Sequence, residues 1–263
     1  RADLAVSGAV LLDIILRQLG AVEITLCGLS LREGAVLDYI HRNRVTIERI
    51  ERYPDIRRRS VMELVQRGTH AAEHAQQVSR IALAIFDQTQ RQHRLSQQAR
   101  EWLELASVVH DVGEHISYED HHRHSYYMVK NGNLRGFEPD EVEVIALLTR
   151  YHRRGTPKKS HPTFARLPRP VRRAVRWLSA MLRVAESLDR SRAQLVERVT
   201  LTEHDDGWRI RVTGRGDLEL EVWAAQRNIG PLAEELGAPI RVAGARPRRT
   251  VSTSGSSGIE SSF

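Results

Sequence analysis

Residues 108–113 read Val-Val-His-Asp-Val-Gly, and this stretch decides the fold. The segment before it has the apolar spacing of an amphipathic helix, with Leu103 and His110 on one face, and Gly113 ends that helix. Asp111 therefore follows a buried histidine at a helix end. A buried carboxylate beside a buried imidazole is unfavourable unless another charge compensates it. The stretch thus predicts a helical domain with a polar site inside it.

Two other predicted helices direct polar side chains to the same interior. In the helix near 70–90, His74 lies in line with the apolar stripe that continues at Val78. In the helix over 169–190, Asp189 continues a stripe of apolar residues spaced at three and four. Imidazole and carboxylate groups are ligands for Mg²⁺, Mn²⁺, Fe²⁺ or Zn²⁺, so the pattern predicts a divalent metal held by His74, His110, Asp111 and Asp189. The alternative is that each is an ordinary buried polar group, hydrogen-bonded to backbone or to an arginine.

Composition excludes several classes of protein. The chain has 263 residues, 41% hydrophobic and 28% charged, with a net charge of +7. These values exclude a collagen-like, disulfide-stapled or wholly disordered chain, and no apolar run is long enough to span a membrane. Cys27 is the only cysteine, and the N-terminus lacks the pattern of a secretory signal. We therefore expect a cytoplasmic protein without a membrane partner.

The predicted fold class is mainly α, with short α/β segments on either side of the helical domain. Helices are predicted at 46–52, 58–68, 70–90, 96–112, 121–132, 139–152 and 169–190. Alternating patterns predict strands at 199–202, 208–212, 218–222 and 240–242, with a helix at 231–236. Before the helical domain, a helix from Asp3, a strand at Val22–Cys27 and a helix at 35–43 form too little for a sheet of their own. We predict domains at 1–42, 43–198 and 199–245, a disordered tail at 246–263, and a chain that is a fragment.

The order of the polar residues resembles the HD superfamily of metal-dependent phosphohydrolases. His74, the His110-Asp111 doublet and Asp189, in Arg-Val-Ala-Glu-Ser-Leu-Asp, follow that family's order. The resemblance implies hydrolysis of a phosphate ester or anhydride by water that a divalent metal activates. It also implies that His124 and His152 are candidates for a second ion. For these two, an exposed histidine in a polar loop is the alternative.

A second resemblance concerns the segment from residue 1 to about 159. Its motifs are Glu-Ile-Thr-Leu at 23–26, Leu-Arg-Glu-Gly at 31–34 and His-His-Arg-His-Ser-Tyr-Tyr-Met-Val at 121–129. They resemble the exopolyphosphatase and guanosine pentaphosphate phosphatase (Ppx/GppA) family, which usually has glycine where this chain has Ser30. The resemblance implies that residues 1–42 end an actin-like, RNase H-like α/β domain whose catalytic cleft precedes residue 1. It also implies an HD-type helical module that helps to bind long polyanions, followed by a small α/β cap.

Basic residues favour a phosphate-rich partner. Arg153, Arg154, Lys158 and Lys159 are predicted to bind phosphate, because guanidinium and ammonium groups suit phosphate oxygens. A second cluster at 169–176 forms one arginine-rich helical face, for which a solvated surface is the alternative. Polyphosphate or a phosphorylated nucleotide is therefore the expected partner. Nucleic acid is not favoured, because aromatic residues make up only 5% of the chain.

The sequence therefore predicts an exopolyphosphatase-like phosphohydrolase that hydrolyses or binds polyphosphate or guanosine pentaphosphate with a divalent metal. Two alternatives stay open at this point. One is a self-standing HD-domain nucleotide phosphohydrolase, and the other is a regulatory module that binds polyanions without catalysis. Whether the chain forms a homodimer is also open.

Overall fold

The structure is a computed structural model that describes residues 2–23, 30–44, 55–68 and 72–244. The chain divides into two compact units, residues 1–52 and 53–263. The helix predicted at 46–52, most of the strand predicted at Val22–Cys27 and the tail at 246–263 lie outside the described residues. Within the described residues the fold is mainly helical with one small sheet, as predicted.

The first unit contains helices α1 (Ala2–Leu19) and α2 (Leu31–Arg42). Ser30 caps α2, since its hydroxyl accepts a hydrogen bond from the Glu33 backbone N–H while the Glu33 carboxylate accepts one from the Ser30 N–H. This capping box satisfies two N–H groups that have no partner inside the helix. It explains why α2 begins before the start predicted at residue 35.

Helices build the core of the second unit. They are α3 (Ile56–Gly68), α4 (Ala72–Gln88), α5 (Gln90–His93), α6 (Gln97–Val109), α7 (His121–Asn131), α8 (Pro139–Tyr151), α9 (Pro162–Ala165) and α10 (Arg169–Ser187), with a 3₁₀ turn at Val112–His115 between α6 and α7. Leu103, Leu148 and Leu178 are fully buried where α6, α8 and α10 meet. Burial of each leucine stabilises the fold by about 1.5–3 kcal/mol, so these contacts hold the three helices together.

Arg57, in the first turn of α3, joins three helices through ion pairs. The Arg57 guanidinium donates to the carboxylates of Glu141 on α8, at 2.8 Å, and of Glu101 on α6, at 2.9 Å. The Glu141 carboxylate, whose pKa falls to about 2 chiefly because of this contact, also accepts a hydrogen bond from the Trp102 indole. The positive charge of Arg57 is therefore paired with carboxylates within the fold.

A three-stranded sheet follows α10, made of β1 (Val196–His204), β2 (Gly207–Gly214) and β3 (Ile240–Gly244). β1 and β2 are antiparallel and β2 and β3 are parallel, in the order β1-β2-β3. Helices α11 (Glu219–Asn228) and α12 (Gly230–Leu236) connect β2 to β3. The predicted boundary between residues 198 and 199 falls inside β1, which the Gln88 side chain of α4 joins through Val199 and Leu201.

The strand predicted at 218–222 is wrong, because that segment opens α11. Five residues of Leu-Glu-Leu-Glu-Val alternate as a strand does, but the longer pattern of Leu218, Ala225 and Ile229 keeps one helical face buried. The Asp217 carboxylate accepts a hydrogen bond from the Glu219 N–H at 2.8 Å. This hydrogen bond satisfies a backbone N–H at the start of α11. The helical pattern extends over more residues than the strand-like alternation, so it determines the structure.

Candidate metal centre

Two groups of side chains that could bind metal converge in the second unit. In the first group, ligand atoms of His74, His110, Asp111 and Glu186 lie within 4.8 Å of one another. In the second group, ligand atoms of Asp111, His121 and His152 do the same. Asp111 belongs to both groups, so the two form one continuous cluster.

Helix ends place these residues. His74 lies in the first turn of α4, and Glu186 lies in the last turn of α10. His110 directly follows α6 and His152 directly follows α8, while His121 begins α7. Backbone groups at helix ends are not used within the helix, so they are free to orient these side chains.

Backbone carbonyls fix the orientation of three of the imidazole rings. The Nδ1 atoms of His110, His121 and His152 lie 2.7, 2.9 and 2.7 Å from the carbonyl oxygens of Ser107, Tyr118 and Thr149. A carbonyl only accepts, so each Nδ1 carries a proton and donates it. In the neutral ring the Nε2 atom then bears a lone pair. All three Nε2 atoms face the cluster, which is the usual orientation of histidines that bind metal.

The second group places two imidazole rings beside one oxygen of Asp111. The Nε2 atoms of His121 and His152 are 3.2 Å apart. Burial would lower the pKa of His121, but its contact with the Asp111 carboxylate raises it. Asp111 Oδ1 lies 3.3 Å from His121 Nε2 and 3.5 Å from His152 Nε2, is buried, and forms no hydrogen bond with any described residue. Burial, and then the charge of His110, lower the pKa of His152 to about 3, so this ring stays neutral. His152 Nε2 and Asp111 Oδ1 are thus acceptors, and a cation held by this group would replace the proton on His121 Nε2.

The first group carries its own positive charge. His74 donates from Nδ1 to Asp189 Oδ2 at 2.7 Å, and its Nε2 lies 2.9 Å from Glu186 Oε2. Burial alone would lower the pKa of His74, but the hydrogen bonds to Asp189 and Glu186 outweigh it and raise the pKa to about 9. Burial would raise the pKa of Glu186, but hydrogen bonds from the Nε2 atoms of His110 and His74 lower it. His110 can donate from Nε2 as well as Nδ1, because the charges of Asp111 and Glu186 outweigh burial and raise its pKa. A proton on His74 thus occupies the place that a metal ion would take.

Arg192 adds a second cation to the first group. Its Nη2 lies 2.7 Å from Asp111 Oδ2, and the same guanidinium contacts the Glu114 carboxylate. Burial would raise the pKa of Asp111, but the surrounding histidines, His110 first, hold it well below its usual value. The two oxygens of Asp111 therefore differ, because Oδ2 lies 2.7 Å from the Arg192 guanidinium, whereas Oδ1 lies among histidine rings, the nearest being His121 at 3.3 Å.

The sequence-predicted residues separate into two sets. The structure brings His74, His110, Asp111 and His152 together. It places Asp189 behind His74, where its Oδ1 accepts a hydrogen bond from the Gln194 N–H at 2.8 Å. It leaves His124 half-buried on α7, outside both groups.

Sequence reasoning missed Glu186 and His121. Glu186 continues the four-residue spacing of Leu178 and Leu182, which is a usable signal for an inward carboxylate. His121 and His124 are three residues apart on one helix, so the sequence does not distinguish them. Packing makes the choice, because His121 is buried beside His152 and His124 is not.

A basic cavity of about 370 Å³ opens on the cluster. His152 and Glu186 form part of its wall, so both groups are reached from it. Five arginines also line it: Arg153, Arg154, Arg183, Arg190 and Arg227. Glu186 is the only acidic residue in this lining, so the cavity suits an anion.

The four predicted phosphate-binding residues do not share one cavity. Arg153 and Arg154 line the cavity at the cluster, where Arg154 also pairs with Asp120 at 2.9 Å. Lys159 lines a separate cavity of about 890 Å³, together with Arg169, Arg172, Arg173 and Arg176. Lys158 is exposed and lines neither. Among the described residues that line the larger cavity, none belongs to either group, so the smaller cavity is the one that opens on the cluster.

Within the described residues no helix combines the length and the apolar character needed to cross a membrane. The sequence matches the family model of the Ppx/GppA phosphatase, domain III, over residues 56–220, which is more than half of the chain. The matched region runs from α3 to the start of α11 and contains every residue of both metal-binding groups. The match indicates a phosphatase-family function. It also confirms the resemblance in the sequence: the chain belongs to the Ppx/GppA phosphatase family and contains its domain III.

Proposed function

We propose that the second unit is an HD-type, metal-dependent phosphohydrolase that acts on phosphoanhydrides such as polyphosphate or guanosine pentaphosphate. The observation that carries this proposal is the buried Asp111 Oδ1, which forms no hydrogen bond with the described residues and lies 3.3 and 3.5 Å from the Nε2 atoms of His121 and His152. Buried polar atoms are rarely left without a partner, so this arrangement favours a cation between them. Family membership supports the choice of phosphate chemistry.

Two divalent ions would share Asp111. His74, His110, Asp111 and Glu186 would hold the first, and Asp111, His121 and His152 would hold the second. Asp189 would act through His74, since its carboxylate fixes the ring and its tautomer. An imidazole-rich donor set suits Fe²⁺ or Zn²⁺ better than Mg²⁺, with Mn²⁺ between them.

When bound, the ions would activate water and offset the charge of the phosphate. The protein would supply the remaining contacts. Arg153 and Arg190 reach the cavity from the loops after α8 and α10, and their guanidinium groups suit bidentate contact with phosphate oxygens. These guanidinium groups, held in the wall of the cavity, would orient the phosphate toward the cluster.

The test compares Asp111→Asn with Asp87→Asn. The first change removes the shared ligand without changing side-chain size, and the second removes a half-exposed carboxylate that pairs with Arg100 far from the cluster. We expect the wild type and Asp87→Asn to retain divalent metal, measured by elemental analysis, and to release phosphate from tripolyphosphate and guanosine pentaphosphate. We expect Asp111→Asn to lose both properties while its circular dichroism is unchanged. A wild-type chain that binds no divalent ion would refute the proposal.

A second candidate function is polyanion binding without catalysis. The cavity of about 890 Å³ favours it, because five arginines and Lys159 line it and no acidic residue does. Binding of this kind would persist in Asp111→Asn and weaken as salt concentration rises, because cations released from the polyanion drive it. Phosphate release that is lost in Asp111→Asn favours the enzyme instead.

A further inference from the structure

Helix α11 forms the wall of the 370 Å³ cavity away from the metal-binding groups, and Trp223 projects from it. The Trp223 side chain is 56% exposed, although tryptophan is usually well covered in a folded protein. The family match ends at residue 220, so Trp223 lies beyond the matched region. An exposed aromatic ring in a cavity wall points to a ligand with an apolar face.

Hydrogen bonds fix the position of Trp223 relative to the cluster. The Asn228 amide donates to the Ser187 hydroxyl at 3.1 Å, and Ser187 directly follows Glu186. The carboxylate of Glu221, which is buried, accepts a hydrogen bond from the Ser191 N–H at 3.1 Å. These two contacts join α11 to the end of α10. They therefore hold α11, and with it the backbone of Trp223, beside the helix that carries Glu186.

Arg227 makes the same wall cationic as well as aromatic. Its guanidinium carbon lies 5.0 Å from the centre of the Trp223 ring, one helical turn further along α11. Planar guanidinium and indole groups both stack on the π-face of a nucleobase, and this contact tolerates any base. Inorganic phosphate has no such face, so only a ligand with a ring uses this part of the wall.

We propose that Trp223 and Arg227 bind the base of a nucleoside phosphate whose phosphates point toward His152 and Glu186. This inference rests on the proposed function and narrows its substrate class to nucleotides. The cavity volume of about 370 Å³ agrees, since it lies near the lower end of the range for small-molecule sites and suits one nucleotide. The arginines of the cavity would neutralise the phosphates, and the indole would stack on the base.

The test measures binding of GTP and of inorganic tripolyphosphate by calorimetry, in chelator and without added metal. The variants are Trp223→Ala, Trp223→Phe and, as a matched control on the same helix, Leu220→Ala, whose side chain is 48% exposed and outside the cavity lining. We expect Trp223→Ala to weaken GTP binding about tenfold and leave tripolyphosphate binding unchanged. Trp223→Phe should restore most of the GTP affinity, and Leu220→Ala should match the wild type.

Equal GTP affinity in the wild type and Trp223→Ala would overturn the inference, as would tripolyphosphate binding to the wild type more tightly than GTP does. A wild type that binds no GTP would overturn it too. Because the assay contains no metal and follows no hydrolysis, failure of the proposed metal chemistry would leave this result unchanged. If Trp223→Ala weakened GTP binding but the wild type did not hydrolyse GTP, the base site would be supported and only the proposed enzyme activity would be refuted.

Discussion

The two halves of the cluster share Asp111 but differ in how the protein compensates it. The first half contains a histidine whose pKa is raised to about 9 and an arginine 2.7 Å from Asp111 Oδ2. The second half contains a histidine whose pKa is lowered to about 3 and the Oδ1 atom without a hydrogen bond. The first half therefore contains two cationic groups, whereas the second contains one ring that stays neutral, His152, and one ring, His121, whose pKa the Asp111 carboxylate raises against the effect of burial.

This difference teaches how a metal ion would enter each half. In the first half an ion must replace the proton of His74 and the guanidinium of Arg192, so binding competes with both. In the second half Asp111 Oδ1 and His152 are already free to accept, so less has to be displaced. We therefore expect the halves to respond differently to substitution, to pH and to the loss of Arg192.

The largest expected effect comes from breaking one half at a time. Glu186→Gln removes a ligand used only by the first half, and His152→Asn removes one used only by the second. We expect each variant to bind one divalent ion per chain where the wild type binds two, with affinity at the broken half lowered about 100-fold. Calorimetric titration with Mn²⁺ or Zn²⁺ gives both numbers. If either variant lost both ions, the halves would be one inseparable site.

The sequence predicted the parts of this site that lie on apolar stripes. His74 and His110 continue buried faces of long helices, so helical spacing alone placed them correctly inside. The choice between Glu186 and Asp189 was beyond such reasoning. Both residues end the same stripe, and only the packing of α10 against His74 shows that Glu186 faces the other ligands while Asp189 lies behind the ring.

The fold follows the same rule. Long amphipathic helices were predicted correctly because one buried face extends over many residues, as in α10. The strand predicted at 218–222 was wrong because five residues fit the strand period and the helical period equally well. The contacts of α11 with the rest of the unit favour the helix. The sequence did not predict the cavity either, because its lining combines Arg153 and Arg227, which are far apart in the chain.

The second prediction uses pH to separate the halves. The pKa of His74 is raised from 6.5 to about 9, so the proton is present at pH 7 and must leave when an ion binds. Affinity at the first half should therefore rise by up to about tenfold per unit between pH 7 and 9. Asp189→Asn removes the carboxylate whose hydrogen bond with Nδ1 helps to raise the pKa of the ring, so the metal affinity of this variant should vary less with pH. Identical pH profiles for Asp189→Asn and the wild type would contradict this role of His74.

The same proton affects the stability of the metal-free chain. Because the pKa of His74 is higher in the folded state, its stabilising contribution is complete below about pH 6.5 and is lost as pH rises through 9. The free energy of unfolding should fall over that range by on the order of 1–3 kcal/mol. Urea unfolding at pH 6.5 and pH 9 measures this change, and Asp189→Asn should reduce it.

The smallest expected effect concerns Arg192. Its guanidinium contacts Asp111 Oδ2 at 2.7 Å and also pairs with Glu114, from a loop residue in the left-handed region at φ 57°. Oδ2 is also the Asp111 oxygen that lies 3.7 Å from His74 Nε2, so we expect Arg192 to compete with an ion held by His74 and Asp111. The Arg192 side chain is 37% exposed, and ion pairs of this kind contribute up to about 1 kcal/mol. Arg192→Gln should therefore strengthen metal binding at the first half up to about fivefold and leave the second half unchanged.

Arg190→Gln is the matched control, since Arg190 follows the same helix but approaches only Glu186, at 3.9 Å. Both variants lose one positive charge near the cluster, so a general electrostatic effect would appear in both. An increase confined to Arg192→Gln would show that the contact with Asp111 Oδ2 is what competes. Weaker metal binding in Arg192→Gln would instead mean that the guanidinium holds Asp111 in position for the ion. In that case the first half would also be preorganised, and the difference between the halves would reduce to the proton on His74.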